Sequence, residues 1–294
     1  MDHTRQTAYS DPGRYAGLLD AVPTDIAGLT DVVRNLLIHY RGGEVEFTPD
    51  RLEEVNHRWV DEILACDQQR NAVPLTTPRE PVDRVAGCCR DFTLLAVAML
   101  RHQGIPARSR IGFASYFTPG FHHDHVIVEY FDRGRWNQVD PQIGPAEHWG
   151  FDVHDIPAGR FRSAAEVWLA FRAGEIDGDL YGVAPDLPIR GGWFIRDYVF
   201  LQLAHLRGDE LLLWDGFGAM ADDLSMDLGP TDELAALLVA ADAGDRSADT
   251  KLADLYRIDP DLHPGRLIEV RSPTGTPPYR IDLGTRRKLP GLSD

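Results

Sequence analysis

Cysteine is scarce in this chain. Cys66, Cys88 and Cys89 are the only three among 294 residues. An odd number with two adjacent makes a poor disulfide framework, so reduced thiols and a cytoplasmic setting are expected. Positive charge is also short: 30 Lys and Arg against 46 Asp and Glu leave a net charge of −16. That argues against a nucleic-acid partner, because phosphate contacts need clustered Lys and Arg. It argues equally against an anionic membrane surface. Solubility accounts for the acid excess. No apolar run is long enough to span a bilayer, and no apolar signal-type stretch follows the polar opening MDHTRQTAYSDPGR. There is no internal repeat, no low-complexity segment beyond AALLVAADAGD, and no calcium-loop pattern. With 43% apolar residues the chain has an ordinary globular composition, long enough for one large domain or one domain plus a smaller one.

The chain is organised around GCCRDFTLLAVAMLRHQGIPAR, Gly87 to Arg108. Phe92, Leu95, Ala96, Met99 and Leu100 fall on one face of a helix. Gly104 suits a left-handed C-cap, and Pro106 forbids continuation. Cys89 therefore lies in or just before the first turn, where unpaired N–H groups and the helix dipole favour an anion. Gly87 lets the backbone approach closely before the helix. A thiol so placed reads as a nucleophile.

Downstream, HHDHVIVEYFDRGRWNQVDPQ reads as two strands, 125–131 and 135–139, around Asp132-Arg133-Gly134. Directly opposed residues of a hairpin share an index sum. A four-residue loop closed by Tyr130 and Arg135 would put His125 opposite Asp140. A two-residue loop closed by Asp132 and Arg135 would leave them on one face, one diagonal apart. A three-residue loop without a bulge would separate them. Cys, His and Asp can thus converge as thiolate, proton carrier and orienting carboxylate.

These segments, with Gly104-Ile105-Pro106-Ala107-Arg108 and Trp136-Asn137-Gln138-Val139-Asp140-Pro141, resemble the transglutaminase-like superfamily, here a stand-alone bacterial member. The resemblance implies an α+β fold, with a papain-like core in which the helix carrying the Cys packs on an antiparallel sheet. It also implies Cys89 as nucleophile, His125 as general base and acid, and Asp140 as orienter. Many members have an aromatic residue one or two positions after the His, where this chain has Val126 and Ile127. That reads as a changed wall of the site.

Elsewhere the pattern is coarser. Residues 1–23 read as a polar arm. Helical spacing runs from Thr24, as N-cap, to Tyr40, and again over 51–66 with Cys66 on the apolar side. Residues 71–85 are a proline-rich loop, and 107–117 a strand. Residues 141–162 lack a period and read as a loop able to cover the site. Ser163 caps a short helix to Arg172. Helical patterns fill 193–206, 224–238 and 248–257, and 258–294 read as irregular. The expected division is a core with N-terminal helices over 1–190 and a helical extension with an irregular tail over 191–294.

Each functional reading has a plainer rival. Cys88 packs beside Cys89. Arg90 and Asp91 serve the helix start, with Asp91 against the dipole and Arg90 pairing a carboxylate. His122, His123, Asp124 and His125 invite a metal, yet no further Cys or His pair has ligand spacing, so no metal and no cofactor is expected. Tyr116, His123 and Trp136 are the substrate-binding candidates, with core packing as the rival for the aromatics. Phe117 and Phe121, with Tyr116, flank the turn Thr118-Pro119-Gly120. The Cys89 amide is the first oxyanion donor; Trp59, Gln68, Gln69 and Asn71 are open alternatives for the second. The expected function is thiol-dependent acyl transfer on an amide or related carbonyl through a covalent Cys acyl-enzyme, by hydrolysis or transfer to an amine. Its substrate would be a peptide, a protein side chain or a small amide-containing metabolite. The rivals are a catalytically silent scaffold of the same fold and a metal-dependent hydrolase built on the His122–His125 cluster.

Overall fold

The computed structural model describes residues 2–144 and 146–289 and shows an α+β chain. It divides into two compact units, each assembled from three separated stretches. Residues 2–109, 126–157 and 208–212 form the first, and residues 110–125, 158–207 and 213–289 the second.

In the first unit, helix α1 (Ile26–Leu36) is capped by Asp25, whose side chain accepts from the Gly28 amide at 2.8 Å, one residue later than the expected Thr24. The helix stops at Leu36 although helical spacing continues to Tyr40. Leu37 to His39 instead form strand β1, parallel to β2 (Val85–Gly87). Leu37 and Ile38 are both buried there, which a sheet buried on both faces permits.

The helix expected over 51–66 is broken. A four-residue helix α2 (Pro49–Leu52) runs into a 3-10 turn (Glu53–Asn56), and α3 (Val60–Asn71) begins afresh. The break has a cause further along the chain. The buried Arg90 guanidinium donates to the carbonyls of His57 at 3.3 Å and Arg58 at 2.6 Å, which a continuous helix would consume internally. Trp59, extended at φ −113°, stacks on Tyr9 at 6.3 Å.

Helix α4 (Cys89–His102) is buried from Cys89 through Arg101, on every side rather than on one face. Its ends are closed as the sequence indicates. The Cys88 amide donates to the Asp91 carboxylate at 2.8 Å, one half of a capping box. At the other end Gly104 N–H reaches Arg101 O at 3.0 Å and Ile105 N–H reaches Leu100 O at 2.9 Å, the paired bonds of a Schellman ending. Gly87 is required by close approach: a Cβ there would lie 3.0 Å from the Asp91 carboxylate.

Strands β3 (Ala107–Thr118) and β4 (Phe121–Asp132) are sheet neighbours joined at Pro119-Gly120, and each passes from one unit into the other. β5 (Arg135–Val139) pairs antiparallel with β4, Asp132 opposite Arg135 and Val128 opposite Val139. The connection is therefore the two-residue loop, with Arg133 at φ 50° and Gly134 at φ 81°, the left-handed pair of a type I′ turn.

In the second unit, β6 (Phe161–Ser163) pairs with β3, and β7 (Tyr181–Gly182) lies parallel to β4 at His122 and His123. Ser163 caps α5 (Ala164–Arg172), as expected, and forms a capping box with Glu166. α6 (Gly192–Arg207), α7 (Gly229–Asp242) and α8 (Arg246–Ile258) follow. The region expected to be irregular carries regular structure. β8 (Asp215–Gly216), β9 (Leu267–Val270), β10 (Tyr279–Asp282) and β11 (Arg287–Leu289) form one antiparallel sheet. Ile268, Val270, Tyr279 and Ile281 alternate into its buried face. Strands of four residues carry too few alternations to stand out in a sequence rich in Pro and Gly. Residues 290–294 of the expected tail lie outside the described residues.

Candidate active site

Cys89 is the first residue of α4 and is 6% exposed. At this position its amide has no acceptor within the helix and points along the axis, so both the N–H and the dipole favour negative charge at the residue. Cys88 stands just outside the helix and is buried. A hydrogen bond to Cys89, together with burial, pushes the Cys88 thiol well above its ordinary pKa. Cys88 is thereby kept as a neutral S–H beside Cys89.

Asp91 and Arg90 do what the plainer reading assigned them. Asp91 caps the helix and pairs with Arg90 at 3.0 Å. Burial raises the Asp91 pKa even against the pull of that guanidinium. Arg90 also bonds the Glu210 carbonyl through Nε at 3.1 Å and through Nη2. Arg101, further along the helix, pairs with the Glu210 carboxylate at 2.9 Å and with Ser10 at 2.9 Å, and Thr7 donates to the same carboxylate. These buried polar groups fix the helix that presents the cysteine.

Thr93 went unremarked in the sequence. It lies one helical turn after Cys89, on the same face, and its hydroxyl donates to the carbonyl of Val126 in β4 at 2.8 Å. Its signal was there to read: a hydroxyl four residues after the nucleophile candidate, within the otherwise apolar run 92–100.

His125 lies in β4, immediately before Val126, and is 2% exposed. Phe117 meets its ring at 4.9 Å and 74°, and Tyr116 at 6.0 Å and 90°. Both are edge-on contacts that limit how the imidazole can turn.

Asp140 follows directly on β5 and is fully buried. Its amide donates to Val153 O at 3.0 Å, and its carboxylate accepts from the Gln142 amide at 3.0 Å. Arg34 then holds the next carbonyls, Pro141 O at 3.3 Å and Ile143 O at 3.0 Å. Continuing the β4–β5 register by one residue sets Asp140 beside Ile127. Strand alternation gives Ile127 and residue 125 the same face of β4. Within the 141–162 loop, Val153 meets the Asp140 amide, the Ile156 amide donates to Gln138 O at 2.9 Å, and His154 bonds Thr30 at 3.1 Å. This part of the loop braces β5 and α1.

The remaining candidates are engaged in packing. The ring nitrogens of His123 bond Val183 O at 2.9 Å and Thr118 Oγ1 at 2.8 Å. His122 stacks on Tyr181 at 4.3 Å; burial, then Arg162 and His123, lower its pKa. Asp124 accepts from the Tyr198 hydroxyl. Among the described residues no group of three or more His, Cys, Asp or Glu is placed to hold a metal. Trp136 lies at the turn end of the hairpin, opposite Phe131, with Arg108 over its ring at 4.4 Å and His3 at 5.5 Å.

Residues 49–141 match the family model of the transglutaminase-like superfamily. A search of the curated proteins found no match. A solved structure described as a putative cysteine protease from Cytophaga hutchinsonii aligns at 19% identity over 50% of this chain, with a TM-score of 0.32. The alignment spans 43% of that protein's length. Among the described residues no helix is long and apolar enough to cross a membrane. The matched residues, 49–141, contain Cys89, His125 and Asp140 together with the helix and strands that present them, and it is this stretch of the chain that is similar to the transglutaminase-like superfamily.

Proposed function

We propose that this protein is a thiol-dependent acyl-transfer enzyme with Cys89, His125 and Asp140 as its triad. The observation that supports it best is the Thr93–Val126 hydrogen bond. It fastens the helical face that carries Cys89 to the strand at the residue next to His125. The β4–β5 register supports Asp140 as the third member.

In this reading the Cys89 thiolate attacks the carbonyl carbon of an amide, and the Cys89 N–H receives the developing oxyanion. His125, holding the proton taken from the thiol, delivers it to the departing amine as the C–N bond breaks. Asp140 keeps the imidazole in the tautomer and orientation that both transfers need. Water or a second amine then takes the acyl group from sulfur. The substrate class is a peptide, a protein side chain or a small amide, and Tyr116 with Phe117 forms the aromatic wall beside the imidazole.

The test is iodoacetamide labelling of the full chain at neutral pH, read by fragmentation of the tryptic peptide 85–90, which holds both Cys88 and Cys89. Cys89 is expected to label first, and His125→Ala to slow it about tenfold or more. Labelling of Cys89 no faster than Cys88, or a rate indifferent to His125, would overturn the assignment.

A further inference from the structure

Cys66 was expected in the core. It is instead half-buried on α3, in a setting built from charged groups. Glu62, Cys66 and Arg70 recur every four residues along one face of the helix. Arg70 Nη2 lies 3.7 Å from the sulfur. On the other side is His57, in the break before α3, hydrogen-bonded to Cys66 and with its Nδ1 3.7 Å from Glu62. The order is thiol, imidazole, carboxylate.

We infer that Cys66 is a second reactive thiol of this protein, a site of mixed-disulfide formation with low-molecular-weight disulfides, separate from Cys89.

The surrounding ion pairs support it. Arg70 also pairs with Glu54 at 2.5 Å, and Arg51 pairs with the same carboxylate at 2.7 Å. Glu54 thus holds Arg70, and Glu62 holds His57, on either side of the Cys66 sulfur. Burial works against charge on His57, yet the hydrogen bonds to Cys66 and Glu62 hold its pKa up at about 10.

The placement also selects the chemistry. Cys66 is in mid-helix, where its backbone N–H belongs to the helical ladder. No backbone donor is therefore offered to an oxyanion, and acyl transfer is disfavoured. Thiol–disulfide exchange needs only a thiolate and a proton for the leaving group. The Cys66 thiolate attacks one sulfur of the disulfide; a new S–S bond forms as the old one breaks. The departing thiolate takes the proton from His57 and leaves as a thiol. Cys66 is oxidised, and one half of the incoming disulfide is reduced.

The experiment uses the full chain with oxidised glutathione at pH 7, digested without reduction. Cys66 lies in tryptic peptide 59–70, apart from Cys88 and Cys89 in 85–90, so the outcome is read independently of the triad. The native protein is expected to form the mixed disulfide on 59–70. His57→Gln, which keeps the backbone carbonyl used by Arg90, is expected to slow it about tenfold, and Glu62→Gln by a smaller factor. If His57→Gln does not fold, Glu62→Gln carries the test. A native-like variant reacting at the wild-type rate, or modification of Cys66 only after unfolding in urea, would overturn the inference.

Discussion

Helices α3 and α4 each present a cysteine, and they do so by opposite means. On α4 the thiol stands at the first residue, 6% exposed, beside a neutral Cys88, served by the helix end and by backbone geometry. On α3 it stands in mid-helix, half-buried, served by side chains alone: His57, Glu62 and Arg70. The first arrangement offers backbone donors and suits a reaction that builds charge on oxygen. The second offers a proton and a neighbouring guanidinium, and suits a reaction at sulfur. Placement along the helix, more than the identity of the nucleophile, separates the two proposed chemistries.

The sharpest way to break this contrast is at the imidazoles. His125→Ala should lower kcat of the proposed acyl-transfer reaction by about a thousandfold or more while leaving Cys66 labelling unchanged. A parallel loss at both cysteines would show that one thiol reports on the other. Next in size is Arg90→Leu. It leaves the carbonyls of His57, Arg58 and Glu210 and the Asp91 carboxylate without their buried partner. A cost of about 3–5 kcal/mol is expected in urea unfolding.

Thr93→Val keeps the shape of the side chain and deletes only the bond to Val126 O. The expected loss is about 1–3 kcal/mol of stability, accompanied by lower turnover at Cys89 and unaltered thiolation at Cys66. The smallest effect is a pH dependence. His57 is raised from 6.5 to about 10, so the folded state holds its proton more tightly than the unfolded chain. The stability this contributes is complete below pH 6.5 and is lost as pH rises toward 10. The groups facing His57 are Cys66 and Glu62. Thermal unfolding of wild type and His57→Gln should differ most at low pH and converge near pH 10; a gap that stays constant with pH would contradict the pairing.

Much of the α4 region was legible because its signals are local. Gly104 and Pro106 end the helix, Asp91 caps it, and Arg133-Gly134 sets the hairpin turn. The two-residue loop left open by arithmetic is the one adopted, since its two left-handed residues match the twist of the strands. What stayed hidden depends on distant residues. The break at His57 to Trp59 follows from Arg90, and β1 from its pairing with β2. Cys66 looked like core because helical spacing locates a face without saying how many charges share it. The short strands after residue 266 draw their stability from one another, which no window of four residues displays.

The buried acid at position 210 has a further consequence for how the chain is made. Two guanidiniums of α4 bond Glu210 across 120 and 109 residues of sequence. As the polypeptide leaves the ribosome, the cysteine-bearing helix emerges long before its counter-charge does. Until residues 208–212 arrive, Arg101 lacks the carboxylate it pairs with, and Arg90, which keeps Asp91, lacks the Glu210 carbonyl. Nascent chains stopped before that segment should therefore be open to protease at α4, and extending them past Leu212 should close it.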